Sequence, residues 1–138
     1  MKEGWHENTY LILFEAEEIR QRGLDYKIEQ HLPGHSLLGM CSWDNFIVRE
    51  DASGKLFLVP TLPIKPENLV PWLDKLPDSE SLEHDDEVFK KVKWYLDPVI
   101  FGGNPEPGDN MVWITHKDHV DAVNYWNHIY DNTVKLAK

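Results

Sequence analysis

A single cysteine, Cys41, stands in 138 residues, so no disulfide can form within the chain. A domain of this length buries a core without covalent staples or a structural metal. No apolar run approaches the length of a membrane span, and no basic stretch followed by an apolar one opens the chain. These absences together point to a reducing cytoplasm. Cys41 itself lies in an apolar run and reads as a buried, inert thiol.

Positive charge is also scarce. Fourteen Lys and Arg face 24 Asp and Glu, a net charge of −10. Nucleic acids and anionic lipid surfaces need a basic patch, so direct contact with either is excluded. Recognised catalytic signatures are missing too. The chain holds no G-x-S-x-G, no Walker A loop, no H-E-x-x-H and no dinucleotide fingerprint. Gly102-Gly103-Asn104 is a glycine loop between expected strands, with no helix start behind it to cradle phosphate. Asp85, Asp86 and Glu87 offer neighbouring carboxylates, but within an acidic run they read as solvated surface.

What is present is regional acidity and many tryptophans. Asp78, Glu80, Glu83, Asp85, Asp86 and Glu87 place six acids in ten residues with no Lys or Arg between them. Residues 77–110 carry nine acids against Lys90, Lys91 and Lys93, whereas 111–138 are neutral. Such a face favours fast, steered association with a basic protein. Most of the six tryptophans are explained by core packing. Trp72 and Trp94 flank the acidic stretch and are the expected interface anchors, since Trp is enriched at binding hot spots.

The pattern of elements predicts an α+β fold: a single domain over 1–138 with a mixed, mostly antiparallel sheet packed against helices. A first helix is expected over about 7–22, closed by Gly23. The run Tyr10-Leu11-Ile12-Leu13-Phe14 is apolar all round and is compatible with a strand, but Glu15, Ala16, Glu17, Glu18 and Arg20 tip it towards helix. Strands over 36–41, 43–49 and 55–59, with a turn at Asp51-Ala52-Ser53-Gly54, predict an antiparallel meander. Pro66 opens an expected helix towards Leu76, kinked at Pro71. Ser81 caps another through Trp94. Residues 98–101 read as a strand, 102–110 as a loop and 111–114 as a strand.

A long amphipathic helix closes the chain, starting at Thr115 with Asp118 in a capping-box spacing. On a wheel of 100° per residue, Val120, Ala122, Val123, Trp126, Ile129, Tyr130 and Val134 share one side. Lys117, Asp118, Asp121, Asn124, His128, Asp131 and Asn132 share the other. The wheel disposes of a metal reading. His119 and His128 lie about 180° apart and cannot share an ion, and nothing completes a set around His116 and His119. His119 is expected as a satisfied, half-buried residue and His128 as a surface one. Asn127 falls inside the apolar stripe, so its amide is expected to satisfy backbone groups of a neighbouring loop, the turn after Gly102 being nearest in the chain.

Three stretches resemble small bacterial proteins of the SMI1/KNR4 (SUKH) superfamily. They are Asp44-Asn45-Phe46-Ile47-Val48-Arg49 with Gly54-Lys55-Leu56-Phe57-Leu58-Val59-Pro60; Lys93-Trp94-Tyr95 leading to Pro98-Val99-Ile100-Phe101-Gly102-Gly103; and Val112-Trp113-Ile114-Thr115 followed by Tyr125-Trp126-Asn127 and Tyr130. Members usually follow a Leu-Pro pair with a helix, whereas Leu32-Pro33 here precedes the strand-like Gly34-His35-Ser36-Leu37-Leu38. The resemblance implies an α+β domain acting as an immunity protein that neutralises a toxin, often a nuclease, by direct binding. The expected function is therefore protein binding without cofactor or metal. A basic toxin or nuclease is the expected partner, at a site formed by Trp72, Asp78, Glu80, Glu83, Asp85, Asp86, Glu87 and Trp94. Two alternatives stand beside it. One is a small enzyme using the 102–110 loop with His116 or His119; the other is a regulatory adaptor.

Overall fold

The computed structural model describes residues 1–106 and 108–137, with the side chains of 134–137 left outside the description. The Val134 side chain and Pro107 of the expected loop therefore lie outside the described residues. Six strands form an antiparallel sheet in chain order: β1 (Lys2–His6), β2 (Thr9–Leu13), β3 (His35–Cys41), β4 (Asn45–Glu50), β5 (Leu56–Pro60) and β6 (Val70–Pro71). A second antiparallel pair joins β7 (Val92–Tyr95) to β8 (Met111–Ile114). Two short helices, α1 (Ala16–Asp25) and α2 (Ile28–His31), link β2 to β3, and α3 (His116–Ala137) closes the chain. The architecture is α+β, and the expected meander is present, with wholly antiparallel pairing among the described residues.

The sheet is buried on both faces, which explains the ambiguous run at 10–14. Tyr10, Ile12 and Phe14 join one apolar cluster with Tyr26, Ile28, Met40, Phe46, Val92 and Val123. Leu11 and Leu13 join the other with Leu38, Cys41, Ile47 and Leu56. A strand covered on both sides needs apolar residues at every position, so the alternation that marks a half-buried strand is lost. The expected helix over 7–22 is corrected accordingly. The chain stays extended to Leu13, and helix begins only at Ala16, where the Glu15 N–H donates to the Glu18 carboxylate at 2.9 Å. Gly23 does not close that helix; it lies inside it, and the left-handed residue beyond the end is Lys27, at φ +58°.

Three further expectations are corrected. The segment after Pro66 makes one 3-10 turn (Pro66–Asn68), not a helix to Leu76, and then adds Val70–Pro71 to the edge of β5. Pro71 lacks a donor and is tolerated at such an edge. Beyond it, Trp72, Leu76 and Leu82 lie against the second cluster. The helix expected from Ser81 to Trp94 is replaced by a 3-10 turn (Ser79–Ser81), turns through 85–90, and β7. Acids at 83, 85, 86 and 87 repel along a would-be helix, and a backbone pair between Trp5 and Glu83 pins the segment to the edge of β1 instead. Residues 98–101 form a 3-10 turn (Val99–Phe101) ending at Gly102, not a strand.

Helix α3 begins as expected, with the Asp118 N–H donating to the Thr115 hydroxyl at 3.1 Å. Polar side chains pin it to the rest of the fold. Asn124 donates to the Asp25 carbonyl at 2.9 Å, and Lys65 pairs with Asp131. Asn127 is buried and completes three bonds: it accepts from Ile64 N–H at 2.9 Å and donates to the carbonyls of Thr61 and Val123, each at 2.8 Å. The loop it satisfies is 61–64, not the turn after Gly102, because β5 delivers that segment to the helix.

Candidate functional site

The expected interface residues are not brought to one patch. Trp72 is half-buried on the second cluster, whereas Trp94 is half-buried on the other side of the sheet, edge-on to His119 at 5.3 Å between ring centroids. The acids divide as well. Asp78 spends its carboxylate on the Glu80 N–H at 3.0 Å. Asp85 accepts from the Trp5 indole N–H at 2.9 Å and from the Glu87 N–H at 3.0 Å, and the Trp5 bond first of all holds its carboxyl below the usual carboxylate range. Asp85 is thus partly a structural residue and not merely solvated surface. Glu80, Glu83, Asp86 and Glu87 remain exposed, Glu80 lying 3.9 Å from Lys2 and Asp86 2.5 Å from His84.

The histidines offer little to a catalytic reading. His119 is fully buried, its Nδ1 2.7 Å from the Tyr26 hydroxyl, so it is more deeply enclosed than its wheel position implied. Burial pushes it down to about 3, and the nearby His116 pushes the same way. His116 is half-buried and lowered first by desolvation. His128 is exposed, as the wheel required. Among the described residues no three His, Cys, Asp or Glu side chains are grouped to hold a metal ion.

A cleft of about 470 Å³ lies elsewhere, between the β3–β4 turn, the segment after β5, and β7 with its following loop. Trp43 and Asp44 come from the first, Thr61 and Leu62 from the second, and Lys93, Tyr95, Val99 and Ile100 from the third. Neither His116 nor His119 lines it. In the β7–β8 pair, Val92 and Trp94 turn to the core, while Lys93 and Tyr95 occupy the alternate face with their partners Trp113 and Met111. Asp44 keeps an open edge to water, yet the walls desolvate its carboxyl and raise it above the ordinary range. Its backbone, the Asn45 amide at 3.0 Å and the Lys93 charge pull the other way.

Asn110 ties the loop beside the cleft together. Asn110 accepts from the Asp97 N–H at 2.7 Å and donates to the carbonyls of Asp97 and Asn104 at 2.9 and 3.0 Å. Gly103 is obligatory here, since a Cβ would stand 1.7 Å from the Asp97 carbonyl oxygen. The loop thereby presents Leu96, Val99 and Ile100 with 54, 45 and 48% of their surface exposed, and nearby Trp113 is 39% exposed. Chain order concealed these residues. The apolar triplet Val99-Ile100-Phe101, set between Pro98 and two glycines, was the available signal. Phe101 is also exposed, at 38%, while one side of its ring meets Trp126 and Tyr130 of α3.

The acidic stretch and the cleft are joined through aromatic rings. Asp85 binds Trp5, Trp5 meets Trp43 edge-on at 6.0 Å, and Trp43 lines the cleft. Comparison with protein-family models, curated proteins and solved structures returned no match. Among the described residues no helix is long and apolar enough to cross a membrane.

Proposed function

We propose that this chain is a protein-binding domain whose partner is basic, acting by direct binding as an immunity protein or inhibitor of a toxin. One observation carries the binding reading: a loop tied by Asn110 exposes Leu96, Val99 and Ile100 while its sequence carries no Lys or Arg over residues 96–110. An apolar projection held by hydrogen bonds loses little entropy on docking, and Asp97, Glu106 and Asp109 in the same loop select a partner of opposite charge. The toxin component comes from the SMI1/KNR4-like motifs, and the exposed Glu80, Glu83, Asp86 and Glu87 suit a basic nuclease. The lone, buried Cys41, its thiol raised by burial, is at home in a reducing cytoplasm.

The test is affinity capture with the tagged chain, together with co-expression against any lethal gene beside its own. Rescue that is lost when Glu80, Glu83, Asp86 and Glu87 are reversed to lysine supports the reading. A captured partner whose binding ignores both salt and that reversal contradicts it.

A further inference from the structure

The cleft has properties that the acidic surface does not explain. Trp43 adopts φ +63° beside Ser42 at φ +54°. Left-handed backbone is rare for so bulky a residue, and such strain clusters at binding sites. The turn lays the indole along the cleft, stacked on Tyr10 at 4.8 Å and met edge-on by Trp113 at 5.0 Å. Trp43 is 9% exposed, so a ligand in the cleft meets only a small part of its ring.

The remaining wall is aromatic and proline-rich. Tyr95 donates from its hydroxyl to the Pro105 carbonyl at 3.0 Å, and Pro60 and Pro98 stand around it. Grooves of flat rings hold polyproline II segments, because that helix is extended and pre-formed and surrenders little entropy on docking. The rim adds a charge preference. Asp44 lies in the cleft, and the neighbouring loop supplies Asp97, Glu106 and Asp109. The lysine in the wall, Lys93, has its ammonium 5.8 Å from the Tyr95 ring centroid.

We infer that this cleft binds an extended, proline-containing segment of the partner, with a flanking Lys or Arg read by Asp44. The inference rests on the protein-binding reading above and specifies the chemistry of the docked segment.

The full chain, labelled with nitrogen-15 at its indoles, is titrated with three synthetic peptides. One is proline-rich with a flanking Arg, the second has Glu in place of that Arg, and the third replaces the prolines by glycine. The Arg peptide should shift the indole signals of Trp43 and of Trp94, which also borders the cleft, saturably and leave Trp72 unmoved. The Glu peptide should bind about tenfold or more weakly, the value of one charge-assisted contact, and the glycine peptide should also bind more weakly. Asp44→Asn should remove most of the Arg-over-Glu preference. An unmoved Trp43 signal with all three peptides, or equal binding of the Arg and Glu peptides, would overturn the inference. If the peptides fail while a captured basic protein still binds in a salt-sensitive way, the groove assignment falls and the protein-binding reading stands. If neither peptide nor protein binds, both fall.

Discussion

The Tyr26 hydroxyl and His119 Nδ1 lie 2.7 Å apart, in a site where both side chains are almost wholly removed from water. Burial holds the phenol neutral and pushes the imidazole down to about 3. The unfolded chain takes up the His119 proton near pH 6.5, whereas the folded chain does not. The stabilisation is therefore complete above about pH 6.5 and is lost progressively as pH falls towards 3. His119→Gln removes that titration. Between pH 7 and 5 the wild type should lose about 2 kcal/mol more than this variant in urea unfolding. Parallel pH profiles would show that His119 is exposed to protonation.

Asn127 tests the anchorage of the last helix. Its amide satisfies Ile64 N–H and the carbonyls of Thr61 and Val123. Asn127→Leu strands the Ile64 donor in the core and should cost about 1–3 kcal/mol by chemical denaturation. An unchanged unfolding midpoint would contradict the burial described for this residue.

Two glycines should respond with opposite signs. A Cβ at Gly39 would stand 2.1 Å from the Ile12 carbonyl oxygen, so Gly39→Ala forces β2 and β3 apart and should destabilise by about 1–3 kcal/mol or more. Gly23 lies within α1 with open space around it, so Gly23→Ala should stabilise by about 0.5–1 kcal/mol. A loss of stability at position 23 would restore the left-handed helix end that the glycine first suggested.

Legibility in the sequence followed how local each determinant is. The β3–β4–β5 meander was readable because its breakers, Pro33-Gly34 and the 51–54 turn, sit beside the strands they separate. Helix α3 was readable because one face meets the core and the other meets water, so its period survives in the residues. Strand β2 was obscured by its position in the middle of the sheet, where neither face is polar. Segments 66–76 and 81–94 carried helix-compatible spacing, but Pro71 and the Trp5–Glu83 pairing keep them out of helix, and the second of these is non-local. The cleft was hidden for the same reason. Trp43, Lys93 and Ile100 are distant in the chain and meet only after β7 and its loop are placed against the β3–β4 turn.

The central claim is that an acidic, partly apolar surface docks a basic protein. The most direct measurement is the association rate with the captured partner from about 20 to 500 mM salt, a span over which the screening length falls severalfold. The Glu80, Glu83, Asp86 and Glu87→Lys variant is measured beside the wild type, with Asp85 left intact to preserve its bond to Trp5. The wild-type rate should fall by about tenfold or more across that range, and the reversed chain should associate slowly at every salt while melting as the wild type does. Equal, salt-independent rates for the two proteins would reduce the acidic face to a solubility device and contradict the account.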